Sequence, residues 1–148
     1  RIVLIAPADH PWTQRPGPLQ PGDLLSGRFI MREETSGTIE ALREGLAWHD
    51  LSLDDLDTVM VLGNSEAIRM AVQEGIGVAF VSTMVVSDAA KGNGIAAISV
   101  DGLDLTTTLY MARSADRSAT PAQAAFWDLA FSPETEDIRE RPSLPASP

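Results

Sequence analysis

Cysteine is absent from these 148 residues. That excludes disulfides and every thiolate metal site, and it suits a reducing compartment, so a cytoplasmic setting is expected. Histidine is scarce: His10 and His49 stand alone, and neither has a ligand-type partner at helical spacing. Aromatics make up 5% of the chain. Trp12, Trp48 and Trp127 are scattered, so there is no platform on which bases could stack. Positive charge is short as well, with 11 Lys and Arg against 21 Asp and Glu and a net charge of −10. Phosphate affinity needs a basic face, so this chain alone is not expected to bind nucleic acid. No apolar run nears the roughly 18 residues of a membrane span, and no membrane partner is expected. The opening Arg1-Ile2-Val3-Leu4-Ile5 is far too short for a signal peptide, and His10-Pro11-Trp12 stands where a small-residue cleavage site would be. The chain begins without Met inside a strand-like run, as expected of a piece of a longer protein.

Recognisable catalytic motifs are missing too. There is no GxSxG, P-loop, GxGxxG or HExxH. Gly75-Ile76-Gly77 lacks a third glycine and precedes a strand, the wrong place for a dinucleotide loop. Asp54, Asp55 and Asp57 lack calcium-loop spacing and read as a charged loop. Glu33-Glu34 could be an acid–base pair only if adjacent strand residues shared a face, which they do not. An enzyme is therefore not expected, nor a metal or cofactor.

What is present is alternation. Arg1 to Pro7 is a continuous apolar run, as in a buried strand. Ala8 to Gly22 carries four prolines and two glycines and is expected to be a crossing loop without regular structure. One helical turn is expected at Asp23-Leu24-Leu25. Arg28–Met31 reads as a strand, and Ile39, Leu42 and Leu46 then recur at spacings of three and four, predicting a helix from Ser36 to about His49. The second round repeats the scheme. Thr58–Leu62 is a strand, Asn64-Ser65 caps a helix whose face is Ala67, Ile68, Ala71 and Val72, and Gly75 ends it. A third round has the strand Gly77–Val81 and a helix opened by Ser82-Thr83 and running to about Lys91. Strands are then expected at Ile95–Val100 and Leu105–Ala112. A last helix starts at Thr120-Pro121, with Phe126, Leu129 and Ala130 on its inner face. From Ser132 onward Pro, Ser and charge dominate, and a disordered tail is expected over 132–148.

Strand–helix alternation predicts an α/β fold with a largely parallel sheet, whose ligands sit where the strand-to-helix turns gather. Three such turns, Thr35 to Thr38, Asn64-Ser65 and Ser82-Thr83, offer hydroxyls or amides beside unpaired helix-terminal N–H groups. Taken alone, each also reads as an ordinary helix cap.

The order of these segments resembles the effector-binding region of LysR-type transcriptional regulators. The resemblance is carried by Val3-Leu4-Ile5-Ala6-Pro7-Ala8-Asp9-His10-Pro11, by Phe29-Ile30-Met31-Arg32-Glu33 with Thr35-Ser36-Gly37-Thr38, and by Leu62-Gly63-Asn64-Ser65-Glu66-Ala67-Ile68. Val72 with Glu74 to Ser82, Leu109-Tyr110 and Thr120 to Phe126 complete it, so that it runs from Arg1 to about Phe131. It implies a doubly wound, periplasmic-binding-protein-like lobe: a hinge strand at 1–7, the whole second lobe over 8–103, and a return strand and helix of the first lobe over 104–131. It further implies a small-molecule effector bound between lobes, a homodimer or homotetramer, and DNA binding only through an N-terminal winged helix-turn-helix absent from this chain. Ser36, Gly37 and Thr38 would hold the effector. Phe80, Ser82 and Thr83 would line the opposite wall, Pro7 would sit at the hinge floor, and Asn64 and Ser65 would form a secondary turn. The family often carries Arg after Ser-Gly-Thr; here Ile39 stands there, so hydroxyls and backbone dipoles must do that work. A solute-binding protein of a transport system shares the implied fold and is the competing reading.

Overall fold

The computed structural model describes residues 1–86, 94–114 and 116–136. The chain divides into two compact units, Arg1–Thr107 and Thr108–Pro148.

The first unit is built on strand β1, Ile2–Pro7, flanked by β4, Ala79–Ser82, and β5, Ile95–Ile98. β1 runs antiparallel to both. A parallel pair, β2 (Arg28–Met31) and β3 (Asp57–Val61), continues the sheet. The junction is a parallel bridge between Phe29 and Val78, in which Ile30 N–H donates to Val78 O at 2.9 Å and Val78 N–H to Arg28 O at 2.8 Å. The order across the sheet is thus β3-β2-β4-β1-β5. Four strands run one way and β1 runs against them, so half of the pairings are antiparallel, which corrects the expected largely parallel sheet.

Both faces are covered, because side chains alternate along each strand. On one face Ile2, Leu4, Ala6, Phe29, Met31, Val78 and Phe80 pack with Ile39, Leu42 and Leu46 of α1, Gly37–Ala47. On the other, Ile5, Ile30, Ala79 and Val81 meet Ile68, Ala71 and Val72 of α2, Ser65–Gln73, and Val86 of α3, Thr83–Val86. Each fully buried side chain of this kind contributes about 1.5–3 kcal/mol. The helix ends follow local chemistry. Ser36 Oγ caps α1 through Thr38 N–H, and Asn64 Oδ1 caps α2 through the N–H groups of Glu66 and Ala67. α2 closes in a Schellman motif, with Ile76 N–H on Ala71 O and Gly75 N–H on Val72 O, and Gly75 at φ 75° supplies the left-handed residue.

Several expectations are corrected. The proline-rich stretch is not irregular throughout: 3-10 helices form at Pro11–Gln14 and Pro21–Ser26. Proline at a first helical position has the right φ and no N–H to lose, and His10 Nδ1 accepts from Trp12 N–H at 3.2 Å. Leu105–Ala112 forms no strand. Ile2 N–H donates to Leu105 O at 2.9 Å, but no ladder develops, and Leu109 and Tyr110 are 81% and 87% exposed. The third helix is described only to Val86, and its expected course to Lys91 lies outside the described residues.

The second unit contains α4, Pro121–Ala130, capped by Thr120 and Gln123 in a reciprocal box. Arg113 lies over the Trp127 ring at 5.0 Å, and Trp127 contacts Phe131. The expected inner face is not buried: Phe126 and Leu129 are 62% and 56% exposed. Periodicity identifies an apolar face but not what covers it. Within the expected tail, Pro133–Thr135 forms a 3-10 turn held by Thr135 Oγ1–H on Leu129 O at 2.7 Å. Residues 137–148 lie outside the described residues.

Gly77 sits at the junction of the sheet halves, where an added Cβ would stand 2.5 Å from Arg28 O, the acceptor of the Val78 bond. Gly77→Ala should cost about 1–3 kcal/mol in urea unfolding. Gly22→Ala, with nothing within 4 Å of its added Cβ, should be close to neutral.

Candidate functional site

Because β2, β3 and β4 run in the same direction, their carboxyl ends at Met31, Val61 and Ser82 share one end of the sheet. α1, α2 and α3 each begin there, so the three predicted turns come together at that end. β1 contributes its opposite terminus: Ile2 pairs with Ser82, and Arg1 O accepts Thr83 N–H at 3.0 Å.

The first turn is the most closed. A turn is made by Ser36 N–H on Glu33 O at 2.9 Å, and it delivers Ser36 as the cap of α1. Ser36 and Thr38 are 7% and 9% exposed, the two buried polar residues of the described chain. Ser36 Oγ accepts Thr38 N–H at 3.2 Å. The Thr38 hydroxyl makes no hydrogen bond among the described residues, and neither does the Ser36 proton. Gly37 is exposed between them, at the helix end where unpaired N–H groups and the positive dipole end coincide. The second turn presents exposed Asn64 and half-buried Ser65, with Asn64 Oδ1 committed to the cap at 2.8 and 3.2 Å. In the third, Ser82 Oγ accepts Met84 N–H at 3.3 Å, and Ser82 and Thr83 are half-buried.

Two predicted residues are not brought to this place. Pro7 pairs with Ile95 at the start of β5, roughly 17 Å along β1 from the Ile2–Ser82 end. The reason is the reversed direction of β1, which aims Pro7 away from the turns. Phe80 is 5% exposed and stacks on Phe29, with ring centroids 6.1 Å apart. It fills the core on the α1 face rather than lining an open wall.

Two residues are present here that pattern reading missed. Thr107 approaches the start of α1: an added Cβ on Gly37 would lie 3.0 Å from its Oγ1. The segment leading to it passes along α1, where Leu103 and Leu105 close on Gly45. The threonine run Thr106-Thr107-Thr108 was the available signal, and reading it as a strand hid it. The second is Arg32. β2 stops at Met31, so Arg32 and Glu33 leave the strand and its alternation. Their side chains converge, with Arg32 Nε and Nη2 donating to Glu33 Oε2 and Oε1 at 2.8 and 2.7 Å. Arg32 Nη1 donates to Ser65 Oγ at 2.7 Å, which ties the first turn to the second.

The histidines stay structural. His10 lies edge-on to Trp12 at 4.9 Å, and burial lowers its pKa against the opposing charge of Asp9. His49 Nε2 is 3.2 Å from Gly102 O. No cluster of metal-ligating side chains occurs among the described residues, and no helix there is long and apolar enough to cross a membrane. The turns offer hydroxyls, amides and helix dipoles, a set suited to holding a small polar molecule and without a nucleophile–base pair.

The fold is shared with solved effector-binding domains. The CcmR regulatory domain of Synechocystis PCC6803, in complex with 2-PG, matches at a TM-score of 0.67 and 23% identity, over 86% of this chain and 60% of that one. The effector-binding domain of QuiR, in complex with shikimate, matches at 0.67 and 17%, over 88% and 59%. The family model for the LysR substrate binding domain matches residues 1–132. The chain belongs to that family. A transcriptional regulator of the HTH type from Methanocaldococcus jannaschii is 37% identical over 129 residues, 87% of this chain and 43% of that protein. The RuBisCO operon transcriptional regulator of Acidithiobacillus ferrooxidans is 30% identical over 144 residues, 97% and 45%. The chain therefore spans less than half the length of these curated relatives.

The Arg32 fork holds the Glu33 carboxyl well below its ordinary 4.5, at about 2, helped by the backbone N–H of Glu33. A depressed carboxyl stabilises the fold above its unfolded pKa, and that contribution is lost as pH falls through the folded value. A carbon-detected titration of Glu33 should therefore have its midpoint near 2 and should move back toward 4.5 in Arg32→Gln.

Proposed function

We propose that this chain is the effector-sensing part of a LysR-type transcriptional regulator. It takes a small metabolite against the turns at 36–38, 64–65 and 82–83, and the relatives' HTH region carries the DNA contact. The observation that carries the reading is the first turn. Thr38 is nine-tenths buried with an unpartnered hydroxyl, at a helix N-terminus, where the other two turns also converge. The hydroxyl oxygen itself is reachable from solvent, so it can exchange water for a ligand. The family match and the naming of the relatives as transcriptional regulators support regulation over transport.

Ser36, Gly37 and Thr38 hydrogen-bond the effector, with Thr107 beside them. Asn64, Ser65, Ser82 and Thr83 border the same space. The effector shifts a conformational equilibrium rather than undergoing reaction, and a coupling of about 1–3 kcal/mol suffices to change occupancy on DNA. A net charge of −10 disfavours nucleic-acid binding by this chain, which supports DNA reading by another part of the protein. The working unit is a homo-oligomer, dimer or tetramer, in the cytoplasm.

Thermal-shift screening against small metabolites, 2-PG and shikimate among them, tests this. A bound effector at 100 times its Kd stabilises by about 2.7 kcal/mol. Thr38→Val keeps the buried volume and removes only the idle hydroxyl. It should leave the unliganded midpoint nearly unchanged and abolish most of the ligand-induced rise. Ser36→Ala should lower the unliganded midpoint through the lost cap, worth about 1 kcal/mol, and reduce the rise as well. A full rise in both variants would reduce the turn to a helix cap.

A further inference from the structure

One side chain joins the first two turns, and its free edge is already filled. Arg32 stands one residue beyond β2. It donates Nη1–H to Ser65 Oγ at 2.7 Å in the first turn of α2, and its remaining fork holds the Glu33 carboxylate at 2.8 and 2.7 Å. A guanidinium fork beside a helix N-terminus is the arrangement that captures carboxylates and phosphates in two parallel hydrogen bonds. Here the captured carboxylate belongs to the chain itself. Among the described residues two further cations are paired, Arg1 with Asp104 at 2.7 Å and Arg69 of α2 with Glu66. Glu34 is exposed and adds a further carboxylate to this end. Among the described side chains, what remains for a ligand at these turns is neutral: the hydroxyls of Ser36, Thr38 and Thr107, beside the unpaired N–H groups of α1.

We propose that Glu33 sets the charge of the effector, by closing the Arg32 fork and so restricting the turns to a neutral hydroxyl-bearing group or a single carboxylate. This rests on the reading that these turns are the effector site. Neutral donors and a helix dipole compensate about half a charge. A second negative charge on the ligand would need Arg32, and Glu33 competes for it intramolecularly. A neighbour in the chain competes at an effective concentration of about millimolar or more, so a free dianion must exceed that to displace it. Glu33 is thus a specificity-determining residue, and Arg32 a positioning residue that holds the α2 turn through Ser65.

The test is an amide-resolved NMR titration of the ¹⁵N-labelled chain with two probes: inorganic phosphate under mildly alkaline conditions, where it is a dianion, and acetate. Glu33→Gln and Glu33→Ala should each raise the affinity for phosphate, read at the Ser65 and Glu66 amides, by about tenfold, the worth of one charge-assisted hydrogen bond. Adding Arg32→Gln to Glu33→Gln should erase the gain. Acetate should shift the Gly37 and Thr38 amides equally with and without Glu33. Phosphate affinity that is the same in wild type and both variants, or absent from Ser65 and Glu66 in all of them, overturns the proposal. The acetate response separates the two readings. Shifts at Gly37 and Thr38 with a Glu33-independent phosphate response overturn the charge restriction alone, and no acetate shift there together with that response overturns the effector turn as well.

Discussion

β1 is six residues long, and both its edges and both its faces are committed. Its two edges carry the antiparallel ladders to β4 and β5. Ile2, Leu4 and Ala6 enter one core and Ile5 the other. A strand buried this completely has no solvent-facing position at which polarity could be tolerated, which is why it reads as one apolar run. Its reversed direction also spaces the sheet. β4 and β5 run parallel to one another but are separated by β1, so the polar turn after β4 stands beside Arg1 and Ile2. The site end of the sheet is thus assembled from four strand ends and one strand beginning.

The two edges of the sheet are handled differently. Leu19 forms a parallel bridge with Val100, with Leu19 N–H on Ser99 O at 2.9 Å and Asp101 N–H on Leu19 O at 2.7 Å. The proline-rich crossing therefore covers the β5 side. β3, on the far edge, carries a register shift opposite Phe29 and Ile30, and an irregularity of this kind discourages further strand addition. With both edges managed, the parallel strands are free to present their carboxyl ends to solvent, and the polar chemistry of the lobe is concentrated there.

Much of this was legible from residue order, because it depends on local chemistry. Arg28–Met31 is a strand as read, and Ser36, Asn64 and Thr120 cap α1, α2 and α4 as their side-chain oxygens predict. α1 ends at Ala47, two residues before the expected limit, where Trp48 and His49 leave the helix. What was not legible is vectorial or long-range. An apolar run has no direction, so the reversal of β1 could not be read, and with it went the placement of Pro7. Phe80 sits two residues from a polar turn, and only the three-dimensional stack on Phe29 makes it core. Glu33 was read with strand alternation although β2 ends at Met31, and the role of Arg32 as a link to Ser65 depends on a long-range contact. Leu105 to Ala112 has strand composition but no ladder partner among the described residues, and composition alone does not form a ladder.

The contrast between the buried hydroxyls and the exposed ion pair says which interactions serve folding. Exposed pairs such as Arg1–Asp104 contribute between nothing and about 1 kcal/mol, since solvent screens them. Ser36 has a structural account, because it caps α1. Thr38 has none: its hydroxyl makes no hydrogen bond among the described residues. A solvent-reachable hydroxyl that no hydrogen bond of the fold uses is open to a partner from outside it. Arg32 presents the complementary case, a cation that is fully used, by Glu33 and Ser65, in a place where an anionic ligand would want it. Idle donors beside an occupied cation make this end of the lobe receptive to dipoles and hydroxyls and resistant to high charge. That division of labour follows from four side chains within seven residues of sequence.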